Sequence, residues 1–580
     1  MLTLVTLLAF ANAWPDALVL DDKMFAGEFR PNGLESLTEA FNRDVWNHSY
    51  ISSGLYRPLL LINLELESRL FGSWNQGYHL VNIALHLLVT LLLYGFLRKL
   101  LQVAGKRGEH ANLAALVAAL VFAVHPIHTE VVNSVFNRSS MQVALLAIMG
   151  LWWLLHYLDS RPARAWLGLG LSYFLAMGFK ESAAVIPGIA AVMVFVLTDG
   201  SFWARTRRML PVFWLLIPLG IYLFMRAHGL SAGGLENATS EVEESLGIVL
   251  EQARLPGTEV FLAASAVIGQ AMKVMAWPYP LFLYHEPVAD ELQIPYLVLN
   301  AVMIGSSIVL FLRGRPGLAI GLAFFYLAII PASRLLGSDG NPPHLAERYL
   351  YFPSIGLTIA LAFAICAIIQ RFSPRLLIAL TLPLLLLLTA LTWERNADWT
   401  SETFLFETEY DRGHRGPGAL RLLIGAHGNS KNYPRVREIC LAHVAEQEEY
   451  PRLASNCGAM FAEGGDYENA IRSMEMAAEN KRLRPGALLN LARIYSVMGN
   501  REASRDNYLK LRDMVSLPEA RLYLEAEMLL RSYPRNRDVL NRAIEHLDQA
   551  LQLRPEYPQA QALRDEITAL LEKADAAKEH

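Results

Sequence analysis

Residues 78–100 read YHLVNIALHLLVTLLLYGFLRKL, and this stretch decides the architecture. It is an almost unbroken apolar run of about twenty residues, long enough as a helix to cross the hydrocarbon core of a bilayer. Its polar side chains, His79, Asn82 and His86, lie towards the start, and Arg98 and Lys99 close the other end. A greasy segment with a cationic terminus reads as a membrane span whose basic end faces the cytoplasm.

Working outward, similar windows occur at 139–158, 209–227, 293–312, 349–370 and 376–392, with shorter ones at 2–14, 111–124, 165–178, 183–198 and 317–333. About eleven spans are expected. At the N-terminus LLAFANAW resembles the end of a cleavable signal, but without a basic leader it reads as a first span. Basic residues recur between spans (Lys106 and Arg107; Arg161 and Arg164; Arg205, Arg207 and Arg208; Arg313 and Arg315; Arg371 and Arg375), fixing the cytoplasmic side. The apolar segment 258–283 breaks the alternation, so a re-entrant or interfacial hairpin bent at Pro278 and Pro280 is expected there. The loops 15–77, 125–138, 179–182, 228–292 and 334–348 then lie outside, with everything after 393.

The chain of 580 residues is 53% hydrophobic and 18% charged, a balance that implies a membrane part joined to a soluble part. Its net charge of −4 gives no reason to expect a nucleic-acid partner. Residues 1–392 form the expected membrane domain and 393–580 a helical domain on the outer side. The latter matches itself at 34 residues: Tyr433 with Tyr467, Pro451 with Pro485, Phe461 with Tyr495, Gly465 with Gly499. That is the period of tetratricopeptide helix pairs, which stack into an α-solenoid and dock peptides or partner proteins. The fold class expected is therefore all-α, polytopic, followed by a repeat solenoid. Three cysteines imply no disulfide framework, and a Cys440–Cys457 bridge is disfavoured because both read as helix interior.

Polar residues gather in the outer loops, including two adjacent acids, Asp21 and Asp22, just after the first span. Ionisable groups at a membrane boundary are costly and mark a task. Arg57, Arg138, Lys180 and Arg348 are candidates to hold a phosphate by charge-assisted bonds, and a carboxylate could act as general base. Further pocket candidates are His79, His125, His128, Glu130, Glu181, Tyr284, Glu347 and Tyr349. His125 and His128 are also a weak candidate for a metal site, although Pro126 disrupts regular ligand spacing. Taken singly, each group has a plainer reading as a helix cap, a core histidine or a local ion pair.

Taken together, LDD (20–22), YRPL (56–59), GYHLVNIALH (77–86), VFAVHPIHTEVV (121–132), KES (180–182), WPYPLFLYHE (277–286), ERYLYFPSIG (347–356) and RNADW (395–399) resemble, in order, the transmembrane and tetratricopeptide-repeat O-mannosyltransferases and their bacterial relatives. The resemblance implies a glycosyltransferase of GT-C type that moves a hexose, such as mannose, with inversion from a polyprenyl-phosphate carrier to Ser or Thr hydroxyls of proteins. It implies Asp21 as the catalytic carboxylate with Asp22 as helper or alternate, and no required cofactor, a divalent metal being a secondary alternative. The partners implied are the lipid-linked donor, membrane lipid, and an acceptor or helper protein at the repeats. The setting expected is a bacterial inner membrane with a periplasmic active site, or alternatively the endoplasmic reticulum. The family's Gly-Arg-Ala-Asp stands here as Asn137-Arg138-Ser139-Ser140, keeping the arginine and losing the acid. Transfer to a lipid or glycan, and a non-catalytic repeat scaffold for envelope assembly, are the rival readings.

Overall fold

A computed structural model describes residues 1–26, 35–46, 54–232, 257–333, 344–371, 374–533 and 536–579. The described residues up to Arg412 form one compact unit and those from Gly413 onward a second. The first unit keeps the helix Glu402–Asp411, which continues past the expected boundary at 392 because Glu409 pairs with Arg395 at 2.8 Å.

Among the described residues, seven helices are long and apolar enough to cross a membrane: Asn75–Val103, Phe136–Ser160, Phe202–Leu230, Gly257–Ala276, Asp290–Leu312, Tyr351–Ile369 and Leu376–Asp398. Glu109–Val124 with Pro126–Asn133, bent by 53°, would make an eighth. The unit is an integral membrane one. Six of the seven coincide with expected spans. Other candidate spans are shorter helices: Leu2–Ala9, Arg164–Phe179, Glu181–Leu197 and Pro316–Ile329. The seventh, Gly257–Ala276, occupies the stretch expected as a hairpin. It is one unbroken helix, and the bend follows it, where Pro278 and Pro280 cannot continue the backbone ladder.

Two close packings shape the end of this unit that carries Tyr284 and Arg348. Pro316–Ile329 and Tyr351–Ile369 meet at Gly321 and Gly356, where a Cβ on either glycine would come within 2.6 Å of the other's carbonyl oxygen. Small residues let helix backbones approach in this way. Two-residue strands, Tyr284–His285 and Leu345–Ala346, then pair antiparallel with Tyr284 opposite Ala346. Together they set the turn Glu347–Tyr349 beside Tyr284.

The second unit is a run of paired helices. Its 34-residue period is visible in local chemistry: Gly465 and Gly499 both adopt positive φ, at 80° and 79°, a conformation glycine reaches without a Cβ clash. The next residues, Asp466 and Asn500, each cap a helix by accepting from a backbone N–H three positions on. Cys440 and Cys457 form a disulfide between the helices Tyr433–Ala442 and Pro451–Glu463. This corrects the sequence expectation: helix interiors are no obstacle when the two helices face each other.

Candidate active site

The acid pair opens a short helix, Asp21–Ala26, immediately after Leu20, whose φ of 58° is unusual for a bulky residue. As neighbours on one helix, at 3.6 residues per turn, the two carboxylates point about 100° apart and meet different surroundings. Asp22 is buried and accepts bonds from the backbone N–H of Val135 (2.7 Å) and Phe136 (2.8 Å) and from the Ser134 hydroxyl (3.1 Å). Burial pushes its carboxyl up to about 7, against the pull of those bonds. Asp21 is half-buried and feels the charges of Arg348 and Arg57. Its carboxyl is also raised by burial, with the two guanidinium groups pulling the other way.

Both arginines line a cavity of about 220 Å³, together with Ser140, Lys180, Glu181 and Tyr349. Arg57 stands at the start of the helix Pro58–Phe71 and grips Glu181 with two bonds, Nε to Oε1 at 3.0 Å and Nη2 to Oε2 at 2.9 Å. Arg348 donates its backbone N–H and Nη1 to Glu130, and Nη2 to the Tyr284 hydroxyl at 2.7 Å. Its guanidinium lies over the rings of Tyr284 and Tyr349, at 4.6 and 5.1 Å from their centroids. Lys180 is buried and donates to Ser140 Oγ at 2.8 Å. Burial lowers its ammonium to about 7, helped by the neighbouring Arg57 and Arg348 charges. An anion entering the cavity would favour the charged form.

Arg138 is not part of this constellation. Fully buried, it pairs with Glu67 and donates to the Tyr78 carbonyl at 3.0 Å, so its charge is spent on tying helices together. His79 contacts the Ala17 carbonyl at 3.2 Å and so supports the loop leading to the acids. His125 contacts the Met275 carbonyl and receives the Ile127 N–H, whereas His128 meets Ser354 Oγ at 3.1 Å. Glu130, the carboxylate nearest them in sequence, belongs to Arg348. Among the described residues no group of three or more His, Cys, Asp or Glu is placed to hold a metal ion. Glu347 turns away from its neighbour Arg348, lying buried 3.6 Å from Arg395 and 3.9 Å from His285, with its carboxyl held well above the usual range by burial.

No family model matches the chain. Curated proteins do. It is 27% identical over 467 residues to human protein O-mannosyl-transferase TMTC4, covering 70% of this chain and 60% of that protein. To the Caenorhabditis elegans protein O-mannosyl-transferase F38B6.6 it is 27% identical, covering 65% and 52%. To the Drosophila melanogaster Tmtc3 protein it is 24% identical, covering 98% and 65%. The chain is thus similar over most of its length to proteins named protein O-mannosyl-transferases. It spans between about half and two thirds of the length of these relatives.

Sequence reasoning missed Glu67, Ser134 and Ser140. The signal for Glu67 was present in LELES (64–68), where two acids, Glu65 and Glu67, alternate with leucines and need partners if the segment is helical and buried. Ser140 carried no such signal, since only the fold brings it to Lys180.

Proposed function

We propose that this protein is a membrane glycosyltransferase of GT-C type, moving a hexose from a polyprenyl-phosphate carrier to a Ser or Thr hydroxyl of a protein on the extracytoplasmic or luminal side. The observation that carries the reading is a half-buried carboxylate, Asp21, within electrostatic reach of two guanidinium groups that line one cavity. A base and a phosphate-binding wall are the two things such a transfer needs.

Asp21 takes the proton of the acceptor hydroxyl as its oxygen forms a bond to the anomeric carbon. The bond from that carbon to the phosphate oxygen breaks on the opposite face, which inverts the centre and leaves polyprenyl phosphate. Arg348 and Arg57 are each oriented by a carboxylate, and Lys180, held by a neutral hydroxyl, takes up the phosphate's charge. Asp22, occupied by three donors, holds the acid turn in place. The disulfide in the repeats supports an oxidising compartment on that side, and the repeats supply a surface for a protein acceptor or helper.

The test is Asp21→Asn, assayed for sugar release from a polyprenyl-phosphate hexose onto acceptor protein by mass spectrometry. Loss of a positioned base should cost about two to four orders of magnitude in turnover, with donor binding retained. Turnover equal to wild type would remove Asp21 from the chemistry.

A further inference from the structure

The helix Ser139–Ser160 links two cavities. Ser140 lines the one described above, and Asp159, nineteen residues further on, lines another of about 210 Å³. At 1.5 Å per residue the separation is about 28 Å, close to the thickness of a bilayer's hydrocarbon core. The second cavity lies at the end of the bundle that carries the basic loops.

Its chemistry is that of an anion site. Arg107, Arg161 and Arg208 line it with Tyr157 and Thr198, and its acid, Asp159, is neutralised by Lys99 at 2.6 Å. Among the described residues Arg208 donates to a neutral acceptor, the Asp199 carbonyl, at 2.6 Å. Arg161 sits on a left-handed turn that ends its helix, at φ 56°. Three guanidinium groups therefore line the cavity against a single lining carboxylate, Asp159, which Lys99 already engages. One wall is apolar, formed by Val103, Leu197 and Pro211. Beside it the segment that carries Arg208 exposes Trp203 (74%) and Phe213 (65%), the aromatic belt expected at the level of lipid head groups.

We propose that this cavity binds a phosphate-bearing anion, the head group of an anionic phospholipid in the leaflet opposite the acid turn. The guanidinium groups take the phosphate, and the apolar wall and exposed aromatics receive the start of the acyl chains. A cavity this far from Asp21 cannot share the donor phosphate.

The test uses the full-length protein in detergent, titrated with phosphatidylglycerol or phosphatidylcholine and read by native mass spectrometry. Wild type should retain phosphatidylglycerol about tenfold more tightly than phosphatidylcholine. The variant Arg107→Gln/Arg161→Gln/Arg208→Gln should lose about a hundredfold in that affinity, and Arg107→Gln alone, in an exposed turn, about fivefold. The corresponding triple Lys variant should retain most of the binding. Melting curves monitor the fold. Arg-dependent binding of inorganic phosphate that displaces the lipid would keep the anion site and assign it a soluble source. Equal retention of the two lipids, or wild-type affinity in the Gln variants, would overturn the proposal.

Discussion

Arg348 meets Glu130 twice, through its backbone N–H at 2.6 Å and through Nη1 at 2.8 Å. One carboxylate thus fixes both the turn and the direction of the guanidinium at the cavity. The two residues are 218 positions apart, so the pair also locks the helix after HPIH against the entry to Tyr351–Ile369. Glu130→Gln keeps the shape and one acceptor but loses the charge. A charge-assisted bond contributes roughly 1.5–3 kcal/mol, so turnover should fall about ten- to a hundredfold. Steady-state transfer assays would measure it, and an unchanged rate would show that Arg348 needs no such support.

Lys180 gives a pH signature. Without an anion its ammonium sits at about 7, because burial and two arginines oppose its charge. Phosphate binds the protonated form more strongly, so donor affinity should be full below pH 6 and weaken as pH rises through 7 and beyond. A guanidinium keeps its charge throughout this range, so Lys180→Arg should flatten the profile. Donor KM or Kd measured from pH 5.5 to 8.5 in both proteins checks the sign. An identical profile in the two would assign the dependence to another group.

Much of this site could be read in the sequence because Arg57, Lys180 and Arg348 stand in short polar motifs between apolar runs, where a charge has few other uses. Arg138 reads the same way for the same reason, yet the fold pairs it with Glu67. Whether a buried guanidinium faces a cavity or a structural acid depends on Glu67, on a helix far away in sequence that the hydropathy pattern places within the loop 15–77. The division between Asp21 and Asp22 was equally hidden. It rests on backbone N–H groups of residues 135 and 136, donors that every non-proline residue carries and that no side-chain pattern advertises.

The disulfide offers a separate measurement. Cys440 and Cys457 are 17 residues apart, and closing a loop of that size stabilises by about 3 kcal/mol in the chain-entropy view. Reduction, or Cys440→Ser with Cys457→Ser, should lower the unfolding midpoint of the repeats in circular dichroism melts, with the same end state reached by either route. Under denaturing, non-reducing conditions alkylation should label only Cys366, the free cysteine, and after reduction all three. Three labels without reduction would show that the bridge does not form, and with it would go the support for an oxidising compartment around the repeats.

Asp22 should make stability depend on pH in an unusual direction for a carboxylate. Its folded-state value of about 7 stands above the ordinary 3.8, so between these limits the folded chain holds a proton that the unfolded chain has released. Its contribution is therefore fully present below about pH 4 and is lost as pH rises through 7, an effect on the order of a few kcal/mol. Asp22→Asn removes the titration while keeping an oxygen for the Val135 and Phe136 N–H groups. The variant should melt with a smaller decline between pH 5 and 8 than wild type and retain far more transfer activity than Asp21→Asn. Asp22→Ala, which leaves those donors without an acceptor, should be destabilised at every pH. Melting midpoints in detergent at four pH values distinguish the three proteins. A wild-type midpoint that rises steadily across this range would mean that Asp22 is ionised in the folded state and that its three donors, not burial, dominate its chemistry.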